Sequence, residues 1–202
     1  MDTSSTGNSG WTITESLVWV IAAAVVLYMA VAPKAQTPPR PGDYVPPGPV
    51  TGRGLAPAAK VKQLGSPSGT HAVIFGKDDE VASGLTEFAE RHQIKAGHLT
   101  AIGAFSSAVL AYFDRGKKAY RRIAIDEQVE VLSFVGDFAL DHGKPALHAH
   151  VVVGFPDGTT KGGHLLEARV WPTLEVFVTE MPRALVKQYD PESGLDLIDP
   201  SR

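Results

Sequence analysis

The apolar positions from residue 70 onward first form a short run and then take up the spacing of a helix. The run "THAVIF" predicts a strand at residues 70–75. Four apolar residues then recur at the i, i+4, i+7 and i+8 positions of one helix face. They are Val81, Leu85, Phe88 and Ala89. Because Asp78 and Asp79 stand directly before this face, we expect one of them to cap the helix.

The rest of the chain changes to a strand pattern. Six segments are short, rich in β-branched or aromatic residues, and separated by Gly, Pro or Asp. They are "SAVLAYF", "AYRRIAI", "QVEVLSFVG", "ALHAHVVVG", "GGHLLEARV" and "TLEVFVTE". The pattern predicts an α+β domain, with a mostly antiparallel sheet and one or two covering helices.

An uncharged apolar segment lies near the N-terminus, at residues 17–32. As a helix its sixteen residues would span about 24 Å, against about 30 Å for the hydrocarbon core of a bilayer. Extending it back to Trp11 gives a workable length but includes Glu15. The segment lacks the amphipathic stripe of a soluble surface helix. We therefore expect residues 1–36 to act as a membrane anchor or a signal segment.

The side of the membrane on which the domain lies stays open. Five Lys and Arg residues follow the apolar segment within 30 residues and none precedes it, which favours an uncleaved anchor with the C-terminal part in the cytoplasm. The alternative is a signal peptide and export. The stretch "APKAQTP" offers Ala35 before Gln36 for cleavage, but Pro33 occupies the −3 position and the n-region carries no positive charge.

A proline-rich stretch separates this segment from the domain. Nine of the fifteen prolines lie between Pro33 and Pro67, with almost no periodic apolar signal. Such a composition is typical of a semi-extended spacer. The predicted organisation is thus an N-terminal segment at 1–36, a linker at 37–67 and a folded domain at 68–202.

Composition excludes some functions. The 202-residue chain is 44% hydrophobic, enough for one good core, and contains no cysteine, so disulfides, thiolate catalysis and cysteine-based zinc sites are absent. Residues 68–202 hold 14 Lys and Arg against 19 Asp and Glu, a net charge of −5, which opposes a nucleic-acid partner. The basic cluster "RGKKAYRR" is typical of a solvated hairpin tip.

Three of the seven histidines lie within "LHAHVVVGFPDGTTKGGHLLEARV", residues 147–170. On a strand, His148 and His150 share one face while the alternate apolar residues point to the other. If the loop "GFPDGT" is centred on Asp157, His150 lies opposite His164. A two-residue turn would instead pair His150 with Leu165 and turn His164 to the other face.

In the first register the three imidazoles converge and predict a site for a divalent metal. Zinc is the expected ion, although Fe, Mn and Ni also suit three imidazoles, and a fourth position would be left for water or a ligand. The alternative is that the histidines only form hydrogen bonds on a polar face, with Gly162 and Gly163 forming a bulge. As helpers in a reaction we consider three residues, without deciding whether the protein is an enzyme. They are Glu175, Glu167 and Lys161.

Several of these stretches, in their order along residues 70 to 200, resemble the plants and prokaryotes conserved (PPC) domain family. They are "AIGAFSSAVLAYFD", "EVLSFVGDFAL", "LHAHVVVGFPDGTTKGGHLLEARV", "TLEVFV" and "YDPESGLDLI". The resemblance implies a compact domain that forms homotrimers, with His148, His150 and His164 matching the histidines of prokaryotic members that are suspected of holding a metal.

Plant relatives join this domain to AT-hooks that bind AT-rich DNA. Here "PRPGD" and "TGRGLAP" lack the Arg-Gly-Arg-Pro type core of an AT-hook, so the chain resembles the prokaryotic stand-alone type. Two function classes follow. The first is a membrane-tethered or exported trimer that binds a metal and acts on or senses a small ligand. The second is a non-catalytic trimeric assembly or a DNA-associated regulatory module.

Overall fold

A computed structural model describes residues 43–48, 52, 54–63 and 69–202 of the chain. The predicted apolar segment at 17–32 and much of the predicted linker lie outside the described residues. Among the residues that are described, none of the helices has both the length and the hydropathy to cross a membrane. The described residues belong to one unit, Pro39–Arg202.

One helix and ten strands make up the described part of the chain. In chain order they are β1 (Tyr44–Val45), β2 (Lys60–Gln63), β3 (Thr70–Phe75), α1 (Val81–Arg91), β4 (Ala96–Asp114), β5 (Ala119–Ile125), β6 (Val129–Asp141), β7 (Lys144–Gly154), β8 (Thr160–Glu180), β9 (Lys187–Asp190) and β10 (Leu195–Ile198). The described β-strands pair antiparallel throughout, and one helix accompanies them, as the sequence predicts.

Four long strands close into a ring. β4 pairs with β6, β6 with β7, β7 with β8, and β8 again with β4. β5 and β1 extend the sheet from β4, whereas β3 and β2 extend it from β8. β9 and β10 form a separate hairpin. Apolar side chains from the ring strands, from β3 and from α1 form one buried core, in which Phe75, Phe105, Phe134 and Phe138 are the largest fully buried residues.

Two predicted strands, 162–170 and 173–180, are one continuous strand, β8. Pro172 lies between them, and in the sequence a proline at this position indicates the end of one strand and the start of another. In the structure it falls where the pairing with β4 shifts register, between Val170 and Leu174. Proline has no backbone N–H to donate, but at such an irregularity the sheet does not need a hydrogen bond from it. The strand therefore continues past Pro172.

The predicted face of α1 is confirmed, but its predicted caps are wrong. Val81, Leu85, Phe88 and Ala89 are buried as expected. The N-cap is Glu80, whose carboxylate accepts hydrogen bonds from the backbone N–H groups of residues 82 and 83 and, across the fold, from that of residue 168. The longer Glu side chain reaches both its own helix and β8, which explains why a fully buried carboxylate is tolerated here.

Parts of the predicted linker lie on the domain. β1 pairs with β5 and β2 pairs with β3. The Asp79 carboxylate, expected to cap the helix, instead accepts hydrogen bonds from the N–H groups of Ala58 (2.9 Å) and Gly76 (2.8 Å). Ala56 and Ala59 pack on the core. Residues 54–63 are therefore held against the sheet by main-chain pairing and by small apolar contacts.

Candidate metal centre

The pairing of β7 with β8 places the histidines as the Asp157-centred loop predicts. His150 pairs with His164, and the ladder runs regularly to Gly154 and Thr160. Gly158 adopts a φ of +81°, the left-handed conformation that the loop requires. The Asp157 carboxylate accepts hydrogen bonds from the N–H and the hydroxyl of Thr159, at 2.9 and 2.7 Å. This register prediction is confirmed, and the alternative pairing of His150 with Leu165 is wrong.

The bulge at Gly162 and Gly163, part of the alternative to a metal site, is also wrong. Both glycines lie in regular pairs with β7, and the shift of register is on the other side of β8, where it meets β4 beyond Leu165. A Cβ on Gly163 would lie 2.6 Å from the carbonyl oxygen of Ala111. The glycine is thus needed for close approach of β4 to β8, next to His164.

The three imidazoles form a cluster. One ring nitrogen from each of His148, His150 and His164 lies within 4.8 Å of the others. The ring centroids are 5.2 to 5.5 Å apart. His148 and His150 are exposed, whereas only 7% of His164 is accessible. The cluster is therefore open to solvent on one side and walled by protein on the other.

Burial and neighbouring charges favour the neutral form of His164 and His150. Burial, with smaller effects of the nearby His148, His150 and Lys187, lowers the pKa of His164 to about 3. Burial, with a smaller effect of His148, also lowers the pKa of His150. A neutral imidazole has a free lone pair, which is the form that binds a metal.

Contacts around the rings fit a metal as well. The Asp137 carboxylate on β6 lies 3.4 Å from Nδ1 of His148, which leaves Nε2 of that ring to bind an ion. His164 stacks on Tyr120, with centroids 4.7 Å apart, and its Nδ1 is buried without a hydrogen-bond partner in the described part of the chain. Since a buried polar atom normally has a partner, an ion bound at this Nδ1 would supply one. The residues present therefore fit a metal.

A cavity of about 340 Å³ adjoins the cluster. His148 and His164 line it together with Tyr120, Asp137 and Asp141, and the hairpin β9–β10 lines it as well. The hairpin contributes Lys187, Leu195, Asp196, Leu197 and Ile198. Sequence reasoning missed these residues, because the polar ends of short strands give no periodic signal. Asp137 lies on the predicted strand that precedes the histidine strand, and it pairs there with His148. That position is the signal by which the sequence could have indicated Asp137.

The three suggested helpers do not line this cavity. Glu175 pairs with Ile74 of β3 and Ile102 of β4, on the far half of β8. Glu167 lies 3.5 Å from the guanidinium of Arg122 in an ion pair. Lys161 pairs with Val153, on the face opposite His150 and His164, and its ammonium lies over the Phe155 ring. The structure brings the three histidines together but none of these residues to them.

The fold and the cluster define a small β-rich domain with a histidine-lined cavity. The sequence profile of the Plants and Prokaryotes Conserved (PCC) domain, the PPC family, matches residues 62–182. The chain belongs to this family, as its sequence resemblance indicates. No curated protein matches the sequence.

Solved structures with the same fold include proteins of bacteria and archaea. A protein from Bacteroides thetaiotaomicron, provisionally described as DNA-binding, is 27% identical, covers 71% of this chain and 99% of its own, and has a TM-score of 0.67. A metal-containing protein from Archaeoglobus fulgidus is 33% identical over 69% of this chain and 96% of its own, with a TM-score of 0.61. A plant- and prokaryote-conserved protein from Pyrococcus horikoshii, 24% identical, shares the fold over 72% of this chain and 97% of its own, with a TM-score of 0.61.

Proposed function

We propose that this PPC-domain protein binds a divalent metal ion through His148, His150 and His164 and presents it to a small ligand in the adjoining cavity. The observation that carries the proposal is the convergence of three ring nitrogens, within 4.8 Å of one another, from two neighbouring strands. Nδ1 of His164 is also buried without a hydrogen-bond partner in the described part of the chain, and an ion bound at that atom would satisfy it. The metal content of the Archaeoglobus fulgidus relative adds support.

Zinc is the ion that we propose, and Fe, Mn or Ni would suit the same donors. Three imidazoles leave a coordination position open, which is the arrangement of catalytic rather than structural zinc sites. A metal bound there would polarise a carbonyl group or lower the pKa of a water molecule. The chain's own residues hold the imidazoles: Asp137 fixes the ring of His148, and Tyr120 supports that of His164.

We also propose that the domain works as a homotrimer. In support, an exposed row crosses three strands of the sheet, where Phe177 of β8 pairs with Thr100 of β4 and Thr100 with Val135 of β6. The same row continues to His150, which pairs with Val135. Phe177 and Val135 are 41% and 47% accessible, and burying such side chains against another subunit would be favourable.

The N-terminal segment completes the proposal. Residues 17–32 would tether the domain to a membrane, or act as a signal for export, and residues 37–67 would include the spacer.

The second function class, a non-catalytic assembly or a DNA-associated module, draws support from the provisional description of the Bacteroides relative. Against it stands the net charge of −5 over residues 68–202, which repels phosphates.

Equilibrium dialysis of the full chain against zinc tests the metal proposal. We expect His164→Ala to remove one tightly bound ion per chain. His98→Ala is the matched control, because His98 is an exposed histidine on β4 outside the cluster. Equal zinc content in the wild type and in His164→Ala would contradict the proposal.

A further inference from the structure

A second cluster of possible metal ligands faces the same cavity. It consists of Asp141, His142 and Asp196, whose donor atoms lie within 4.8 Å of one another. Asp141 and Asp196 both line the cavity that adjoins the histidine cluster. None of the three residues belongs to the histidine cluster, so they need an explanation of their own.

The fold brings these residues together from three elements. Asp141 ends β6 and pairs with Lys144, so that only His142 and Gly143 form the turn to β7. Their φ angles of +48° and +81° are those of a type I′ turn, which explains a left-handed histidine at this position.

Asp196 comes from the hairpin β9–β10, and two backbone contacts hold that hairpin close to the end of β6. Leu140, the residue before Asp141, donates its N–H to the carbonyl of Leu185 at 2.7 Å and forms a bridge with Val186. The segment that leads into β9 is thereby fixed beside Asp141. The juxtaposition of Asp196 and Asp141 is a consequence of this main-chain pairing.

The surroundings of the Asp141 carboxylate point to a bound ligand. Only 8% of the residue is accessible, and within the described ranges its carboxylate accepts no hydrogen bond. Its contact in the cluster is Nε2 of His142, 3.6 Å away. Lys187 also lines the cavity but forms no ion pair with Asp141 or Asp196 in the described part of the chain. A carboxylate on a residue that is more than nine-tenths buried normally has a hydrogen-bond donor or a cation beside it.

We propose that Asp141, His142 and Asp196 bind a divalent cation, at a site distinct from the three histidines and open to the same cavity. Two carboxylates and a neutral imidazole carry a charge of −2, which a divalent ion balances. The separation of 3.6 Å between Asp141 and His142 is close to the roughly 3.3 Å that separates two ligand atoms around a tetrahedral zinc. Carboxylate and imidazole donors together suit zinc and manganese.

Zinc binding to the full chain tests this second site. We expect the wild type to bind two zinc ions per chain in equilibrium dialysis, and both Asp141→Asn and Asp196→Asn to bind one. The amide keeps the shape of the carboxylate but loses its charge. Asp126→Asn, at an exposed carboxylate outside both clusters, should keep two. Circular dichroism and the melting temperature of each variant check that it is folded. If Asp141→Asn does not fold, Asp196→Asn still tests the site, because Asp196 is less buried than Asp141.

The outcomes separate this site from the proposed function. Loss of one ion in Asp196→Asn and of the other in His164→Ala supports both sites. If Asp196→Asn loses an ion while His164→Ala loses none, the second site stands and the three-histidine proposal fails. If the folded Asp196→Asn variant binds as much zinc as the wild type, the second site is overturned.

Discussion

His150 on β7 lies directly opposite His164 on β8, with ring centroids 5.5 Å apart. This pairing depends on the number of residues in the loop between the strands, since a shift of one residue would turn His164 to the other face. The loop therefore decides whether a metal site can form.

Asp137 is expected to tune metal affinity without being a ligand. Asp137→Asn removes the charge that lies 3.4 Å from Nδ1 of His148 and that orients and polarises the ring. Loss of such a partner typically weakens metal binding about 10- to 100-fold. Competition with a zinc chelator should show weaker binding at unchanged maximal stoichiometry. An unchanged affinity would mean that Asp137 does not act through His148.

The stability of the metal-free protein should depend on pH through His164. The folded-state pKa of His164 is lowered to about 3, from the ordinary histidine value of 6.5. Between these values the unfolded chain binds a proton that the folded chain does not, so the free energy of unfolding falls as the pH falls. The expected contribution of one such group is at most about 1.4 kcal/mol per pH unit.

His164→Phe isolates this contribution, because a phenyl ring can keep the stacking on Tyr120 but cannot be protonated. In chelator-treated protein we expect the free energy of unfolding of the variant to fall less steeply between pH 6.5 and 4.5. His71 and His150, whose pKa values are also lowered, are common to both proteins and cancel in the comparison. Denaturant titrations give the two slopes, and equal slopes would argue against a buried neutral His164.

The proposed trimer predicts that the detergent-solubilised chain sediments with three times the mass of one chain. Val135→Glu places a charge in the exposed row of β6, β4 and β8 and should shift the mass towards that of the monomer. Leu55→Glu is a control at another exposed apolar residue. A monomeric wild type at micromolar concentration would contradict the trimer.

The proposed tether predicts that the full chain fractionates with membranes. Deletion of residues 1–36 should release a folded, soluble domain, since the only long uncharged apolar run of the sequence is removed. Mass spectrometry of the membrane form distinguishes an intact anchor from a cleaved signal. An intact, unprocessed chain that is recovered in the cytosolic fraction is the result that this proposal does not allow.

The fold and the histidine cluster could be predicted because each rests on local periodicity. Alternation along β7 gives the shared face of His148 and His150, and one glycine turn gives the partner of His150. The cavity could not be predicted in this way. Asp141 and Asp196 meet only because the end of β6 and the hairpin β9–β10 are joined by backbone pairing at Leu140, which no periodicity records.

The N-cap of α1 also depends on a contact between residues far apart in the sequence, which local patterns could not predict. Asp78 and Asp79 have the side chains that favour capping, but Glu80 takes the position because its carboxylate also accepts from the backbone of β8, 88 residues away. A tertiary hydrogen bond thus outweighs a local preference. The suggestion of Glu167 and Lys161 rests on residue type, and that of Glu175 also on its alternation with apolar residues along a strand. The structure places all three away from the histidine cavity.

The most direct test of the central claim is an anomalous difference map from crystals of the zinc-loaded chain, recorded at the zinc absorption edge. The account predicts a peak about 2.0–2.1 Å from one ring nitrogen of each of His148, His150 and His164. Absence of a peak between these three rings in fully loaded crystals, or a His164 ring turned away from the other two, would contradict it.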